Sequence, residues 1–256
     1  MQKLGQHFLK NKSVLRSIAE SLELAPNDIV IEIGPGHGEL TEFLMASHAE
    51  KIIAIEKDAD LYDSLIKKFQ DARMIALRDD ALTALPTVIQ NSKPKILNYK
   101  IVGNIPYYIT GHLLRTIGDL EIKPTRSVFT IQKEVAERVC AIPPHMNRLA
   151  ASVQFWATPR IVQVIPASDF SPKPKVASAI IILEAKQQIA DSQNYYSAVH
   201  ALFAQPRKTI INNLRSGTEE KGDSIGKKLS AIGISPDQRP QNLSVSDIIA
   251  ISKTFF

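Results

Sequence analysis

The chain has 256 residues, of which 44% are hydrophobic and 22% charged. That balance sets aside disordered and collagen-like classes and fits one or two globular domains. Apolar runs such as Ala179–Leu183 fall far short of the ~20 residues that span a bilayer, and Lys3, His7, Lys10 and Lys12 interrupt any secretory apolar stretch at the start. The single cysteine, Cys140, excludes an intrachain disulfide and a Cys-rich zinc site. A soluble, cytoplasmic, monomeric protein without metal or membrane partner is expected. The net charge of +5 permits a polyanionic partner.

In chain order, Val14, Leu15, Ile18, Ala19 and Leu22 recur at helical spacing, with Ser13 as the expected N-cap. From residue 29 short apolar strands alternate with amphipathic helices. The strands are expected at Ile29–Ile33, Lys51–Ile55, Met74–Leu77, Ile96–Gly103 and Ser127–Gln132. The helices are expected at Glu39–Ser47, Ala59–Phe69 and Thr110–Ile117. Such alternation predicts an α/β fold, a parallel sheet with helices on both faces. Turn signals fill Pro166–Pro174, and Val176–Leu183 reads as one further strand. Beyond it the pattern is helical, over Tyr195–Phe203, Lys208–Leu214, Ile225–Ile232 and Val245–Lys253. Two domains follow, 1–185 and a small helical 186–256. The first carries 22 Lys and Arg against 20 Asp and Glu, the second nine against six.

Glu32-Ile33-Gly34-Pro35-Gly36-His37-Gly38 lies between a strand and a helix. Glycines there permit a sharp turn and close backbone approach to a ligand at a helix N-terminus. Position 39 is glutamate, so the Gly-x-Gly-x-x-Gly dinucleotide pattern is not met. The pattern present resembles motif I of S-adenosylmethionine-dependent methyltransferases, in which the loop approaches the cofactor's amino acid part. Glu56 ends the second strand, where an open α/β sheet places an acceptor for ribose hydroxyls. Asp80 follows the third strand, and the resemblance makes it an acceptor for the cofactor's adenine amino group.

Gly103-Asn104-Ile105-Pro106-Tyr107 follows the fourth strand and is similar to the Asn-x-Pro-Tyr motif of amino-group methyltransferases. An exocyclic amino nitrogen is conjugated to its ring and is a poor nucleophile. The Asn104 carbonyl and a backbone carbonyl of the Ile105–Pro106 turn can each accept one N–H, which turns the nitrogen lone pair toward a methyl donor. Pro106 fixes the backbone. Tyr107 offers a stacking face worth ~1–3 kcal/mol per base.

Two further segments, Lys3-Leu4-Gly5-Gln6-His7-Phe8-Leu9 and Asp169-Phe170-Ser171-Pro172-Lys173-Pro174-Lys175-Val176, complete a resemblance that covers nearly the whole chain. It is to the ribosomal RNA adenine dimethyltransferases, in their small-subunit (KsgA) type. It implies a Rossmann-like S-adenosylmethionine-dependent methyltransferase sheet with a small α-helical C-terminal domain. It also implies dimethylation of two adjacent adenosines near the 3′ end of small-subunit (16S) rRNA, free or within the pre-30S particle. His7 and Leu9 would close over S-adenosyl-L-methionine, and Gly34, Gly36, Glu56, Asp80 and Asn104 would line its pocket. Phe170 would sandwich the flipped adenine against Tyr107. Lys173, Lys175, Arg207 and Lys208 are the leading RNA contacts, with Lys10, Lys12, Arg148 and Arg215 as further candidates. The sequence departs from the family at Ala177, where an acidic residue is usual, and at Pro206, where arginine is usual. Rival readings are a large-subunit resistance-type methyltransferase, a DNA adenine methyltransferase, and a noncatalytic ribosome-assembly factor.

Overall fold

A computed structural model describes residues 7–91, 98–186, 192–217 and 222–256. The chain divides into two compact units, one of Met1–Ala136 with Thr158–Ala185, the other of Glu137–Ala157 with Lys186–Phe256.

In the first unit a short strand, β1 (Phe8–Leu9), leads into α1 (Lys12–Ser21). Then come β2 (Ile29–Ile33), α2 (Glu39–Met45), β3 (Lys51–Glu56), α3 (Ala59–Lys68), β4 (Met74–Arg78) and α4 (Ala81–Asn91). They are followed by β5 (Tyr99–Asn104), α5 (Thr110–Asp119) and β6 (Arg126–Gln132). After α6 (Lys133–Val139) and α7 (Arg148–Trp156) the sheet is completed by β7 (Ala157–Ile165) and β9 (Ser178–Ala185), with the short β8 (Phe170–Ser171) between them. The sheet order is β4-β3-β2-β5-β6-β9-β7. Strands β2 to β6 pair in parallel, and β9 runs antiparallel to β6.

This order positions the site. The chain steps outward from β2 to β4, then returns to the other flank of β2 at β5, so the winding reverses between β2 and β5. Ligands of open α/β sheets bind outside the carboxyl ends of the strands at such a reversal. Glu32 pairs with Val102 across it, and two residues further on stand Gly34 and Asn104. One face of the sheet is covered by α1: Val14, Leu15 and Ile18 pack with Val30, Val102 and Val128. Each such buried side chain contributes roughly 1.5–3 kcal/mol.

One local expectation changes, and two elements form where the sequence pattern marks none. The N-cap of α1 is Asn11 rather than Ser13: its side chain accepts the N–H groups of Ser13 and Val14. Strand β7 carries no strand signal in sequence, because Pro159 interrupts its pattern; proline belongs on edge strands, and β7 is the sheet's edge. Helix α4 contains Pro86 yet forms, because Ala81, Ala84, Leu85 and Ile89 are buried along one side. The expected start of β5 at Ile96 lies outside the described residues.

The second unit gathers α7 with α8 (Ser192–Leu202), α9 (Ile210–Gly217), α10 (Gly222–Ala231) and α11 (Val245–Phe255). The sequence pattern assigns it 186–256. Residues 137–157 join it because Phe155 stacks on Tyr195 at 3.9 Å and the buried Tyr195 hydroxyl donates to the Ala151 carbonyl. No helix among the described residues is long and apolar enough to cross a membrane.

Candidate functional site

A cleft of about 450 Å³ opens at the β2/β5 reversal, lined by His7, Phe8, Gly34, Gly36, Asn104, Ile105, Pro106, Tyr107 and Phe170. A second cavity, of about 300 Å³, shares Phe8, Gly34 and Asn104 with it and adds Leu9, Glu32 and Glu39 among its walls.

The glycine loop is shaped by left-handed backbone: φ is +64° at Gly34, +60° at Gly36 and +82° at Gly38. A Cβ at Gly36 would stand 2.8 Å from the Phe8 ring, so glycine lets the N-terminal segment close down. A Cβ at Gly34 would meet nothing within 4 Å. The space above Gly34 is therefore open cleft, and a backbone so exposed can approach a ligand closely.

Glu56, only 2% exposed, does not line the cleft directly. Its carboxylate accepts the Gly36 N–H at 3.0 Å and the Asp58 N–H at 2.9 Å, so it holds the loop. Asp80 lies outside both linings. It accepts the Leu82 N–H at 2.9 Å, and the Lys57 ammonium, 2.8 Å away, holds its carboxyl below the usual range.

Asn104 ends β5 and donates from Nδ2 to the His7 carbonyl at 2.7 Å. The Ile105 N–H donates to the Thr130 carbonyl and the Ile109 N–H to the Pro106 carbonyl. These bonds turn the chain through Pro106 and Tyr107 at the cleft wall. The Tyr107 hydroxyl is 2.9 Å from the Ser178 hydroxyl, and the Tyr107 ring lies 5.7 Å from that of His7. Phe170 is 5% exposed, packs into the α1-side core and also lines the cleft. Leu9 is 3% exposed in the same core, so its contribution at the second cavity is that of a buried wall.

Of the residues singled out from sequence, the main cleft brings together His7, Gly34, Gly36, Asn104, Pro106, Tyr107 and Phe170. Lys173 and Lys175 are exposed in the first unit, outside the cleft lining. Arg207 and Lys208 are exposed in the second unit, on a loop laced by the buried Asn213. The Asn213 amide accepts the Gln205 N–H and donates to the Gln205 and Thr209 carbonyls. Lys10, a further candidate, is paired with Glu39 at 2.6 Å.

The sequence does not mark Phe8 or Ser178 as site residues, and it marks Glu32 as part of the glycine motif without showing its partner. Phe8 was legible only as the middle of His7-Phe8-Leu9, and Ser178 carried no motif signal. Glu32 opens the glycine motif but has no obvious partner in sequence. In the fold it is 1% exposed, accepts the Thr41 hydroxyl at 2.7 Å, and burial pushes its carboxyl up to about 8.

The sequence profile of the ribosomal RNA adenine dimethylase family matches residues 1–255. "Ribosomal RNA small subunit methyltransferase A" of Dehalococcoides mccartyi (strain CBDB1) is 36% identical over 249 residues, covering 95% of this chain and 84% of that protein. The protein of the same name in Prochlorococcus marinus (strain NATL1A) is 37% identical over 266 residues, covering 98% and 89%. In fold, the chain is similar to a dimethyladenosine transferase from Plasmodium falciparum, with a TM-score of 0.81 and 24% identity over 98% of this chain and 100% of the other. It is also similar to the 23S rRNA methyltransferase ErmE, at 0.75 and 22% over 97% and 99%. The chain belongs to the ribosomal RNA adenine dimethylase family.

Proposed function

We propose that the protein transfers methyl groups from S-adenosyl-L-methionine to the exocyclic amino groups of two adjacent adenosines near the 3′ end of small-subunit rRNA. The product is dimethyladenosine, formed in the cytoplasm during small-subunit assembly. The observation that carries this reading is the meeting of the open Gly34 turn and Asn104-Ile105-Pro106-Tyr107 in one cleft at the sheet's reversal. The small-subunit assignment, over the resistance-type branch, is supported by relatives named for the small subunit at 36–37% identity.

The residues fit the cofactor. The uncovered Gly34 backbone lets it approach, and Glu32 and Glu39 line the adjoining cavity with acceptors for an α-ammonium group. Glu56 keeps the loop in its left-handed conformation and retains lone pairs for ribose hydroxyls. When bound, the cofactor supplies an electrophilic methyl on sulfonium. Asn104 Oδ1 and the Ile105 carbonyl accept the two N–H bonds of the target amine and hold its lone pair in line. Tyr107 and Phe170 grip the base by stacking. No strong general base is needed, because the amine loses its proton after it has become cationic. Positioning provides most of the acceleration. Exposed Lys173, Lys175, Arg207 and Lys208 supply phosphate contacts, which makes RNA binding salt-sensitive.

The test is label transfer from methyl-labelled cofactor into small ribosomal subunits lacking the modification, with large subunits alongside. Label in dimethyladenosine of the small subunit is expected. Label confined to the large subunit would place the protein in the resistance-type branch. Label in neither, with cofactor bound, would favour the noncatalytic assembly reading.

A further inference from the structure

A relay of two hydrogen bonds links the N-terminal segment to the amide that reads the target amine. The His7 ring nitrogen Nδ1 lies 2.7 Å from the Pro172 carbonyl oxygen, and the Asn104 Nδ2 lies 2.7 Å from the His7 carbonyl oxygen. Each contact has a carbonyl on one side, which can only accept. So Nδ1 of His7 carries its proton, and the amide of Asn104 presents its NH2 to His7. If Asn104 were rotated by half a turn, two carbonyl oxygens would face each other and repel. His7 is held at this position by an antiparallel ribbon, in which Phe8 pairs with Ser171 and Leu9 with Phe170. Beyond the ribbon the Lys10 N–H donates to the Asp169 carbonyl, and the Asn11 side chain to the Asp169 carboxylate.

We infer that His7 is a positioning residue: its side chain anchors the segment to Pro172, and its backbone carbonyl fixes the flip of the Asn104 amide, so that Oδ1 is presented to the incoming amino group. This rests on the role given above to Asn104. It adds a coupling, because the strand that carries Phe170 is the one that holds His7. A displaced 170–172 segment releases the amide as well as the base clamp. Acceptor recognition thereby depends on a residue 97 positions away in sequence.

The reach of the anchor gives the test its specificity. Asparagine carries a donor Nδ2 at the same number of bonds from the backbone as histidine Nδ1. Glutamine carries the same donor one methylene further out, and leucine carries none. At saturating cofactor, His7→Leu and His7→Gln are expected to lower kcat roughly 10- to 100-fold, the scale of a small misplacement at a reacting centre. The KM for RNA should stay within about twofold. His7→Asn should return kcat to within about threefold of the natural enzyme.

The second readout needs no turnover. In 15N-labelled protein the Asn104 side-chain NH2 signal, identified by its loss in Asn104→Asp, should move to the free-amide position in His7→Leu. It should keep its place in His7→Asn. An unmoved signal in His7→Leu, or a kcat in that variant within twofold of the natural enzyme, would overturn the positioning role. A natural enzyme that methylates no ribosomal RNA would instead overturn the proposed function, and the amide signal would still decide whether His7 orients Asn104.

Discussion

Gly36 and Glu56 are 20 residues apart and joined by a hydrogen bond of 3.0 Å from the Gly36 N–H to the carboxylate. The bond crosses from the turn after β2 to the end of β3, so the first acidic strand end and the glycine loop form one structural unit. Removal of this buried acceptor strands the N–H groups of Gly36 and Asp58. Glu56→Ala should therefore lower stability by ~1–3 kcal/mol, the cost of unsatisfied buried donors. It should also weaken cofactor binding. Thermal denaturation and calorimetric titration with S-adenosylmethionine check both; full cofactor affinity in the variant would show that the loop keeps its shape without Glu56.

The glycines separate into two kinds. At Gly103 a Cβ would lie 2.5 Å from the Ile33 carbonyl oxygen, a backbone atom that cannot step aside. Gly103→Ala is expected to misfold or to melt well below the natural protein. At Gly34 there is room, and the cost is only the left-handed backbone, ~1–2 kcal/mol. Gly34→Ala should fold, yet bind cofactor at least roughly tenfold more weakly, a loss of ~1.4 kcal/mol. Unchanged affinity in folded Gly34→Ala would show that no ligand approaches this turn.

Burial holds the Glu32 carboxyl up at about 8, against an ordinary 4.5. The folded form thus keeps a proton that the unfolded chain has released, so stability conferred by the neutral group is full below pH 4.5 and falls as pH rises toward 8. Glu32→Gln, which mimics the neutral acid, should flatten the pH dependence of stability in this window. Denaturant titrations of both proteins from pH 5 to 8 measure the difference, and parallel curves would mean that Glu32 is ionised in the fold.

Asn104→Ala should abolish methyl transfer with the melting temperature little changed, since the side chain is half-buried at the end of β5. Near-normal turnover in this variant would remove Asn104 from the mechanism.

Tyr107 and Phe170 need different controls. Tyr107→Phe loses only the hydrogen bond to Ser178, worth ~0.5–1.5 kcal/mol, and keeps the stacking face, so the KM for RNA should hold. Tyr107→Ala should raise it. Phe170 is also a core residue, and Phe170→Ala should cost ~3–5 kcal/mol of stability. Phe170→Leu keeps most of the volume without the aromatic face. A raised RNA KM in Phe170→Leu at near-natural stability supports the clamp, and an unchanged one counts against it.

Local order was legible because it is written at short range. Short apolar runs marked β2, β3, β4 and β6, and the glycine and Asn-x-Pro-Tyr motifs fell at strand ends because tight turns and close approach restrict residue type. The tail helices were visible through spacing alone. What sequence could not show are relations between distant residues. Glu56 reads as a ligand acceptor, and only the fold shows that its carboxylate also holds the glycine loop. Phe170 reads as a clamp, yet it also fills the core under α1. The His7 carbonyl has no side-chain signature, so its bond to Asn104 exists only once the β1–β8 ribbon has formed. Residues 137–157 fell to the helical unit because Phe155 finds Tyr195, a contact no periodicity encodes. The sequence by itself determined which backbone conformations and chemistries are available, since those depend on neighbours along the chain. Only the tertiary structure decided which of these groups meet, because hydrogen bonds and packing act over a few ångströms of space, whatever the separation in sequence.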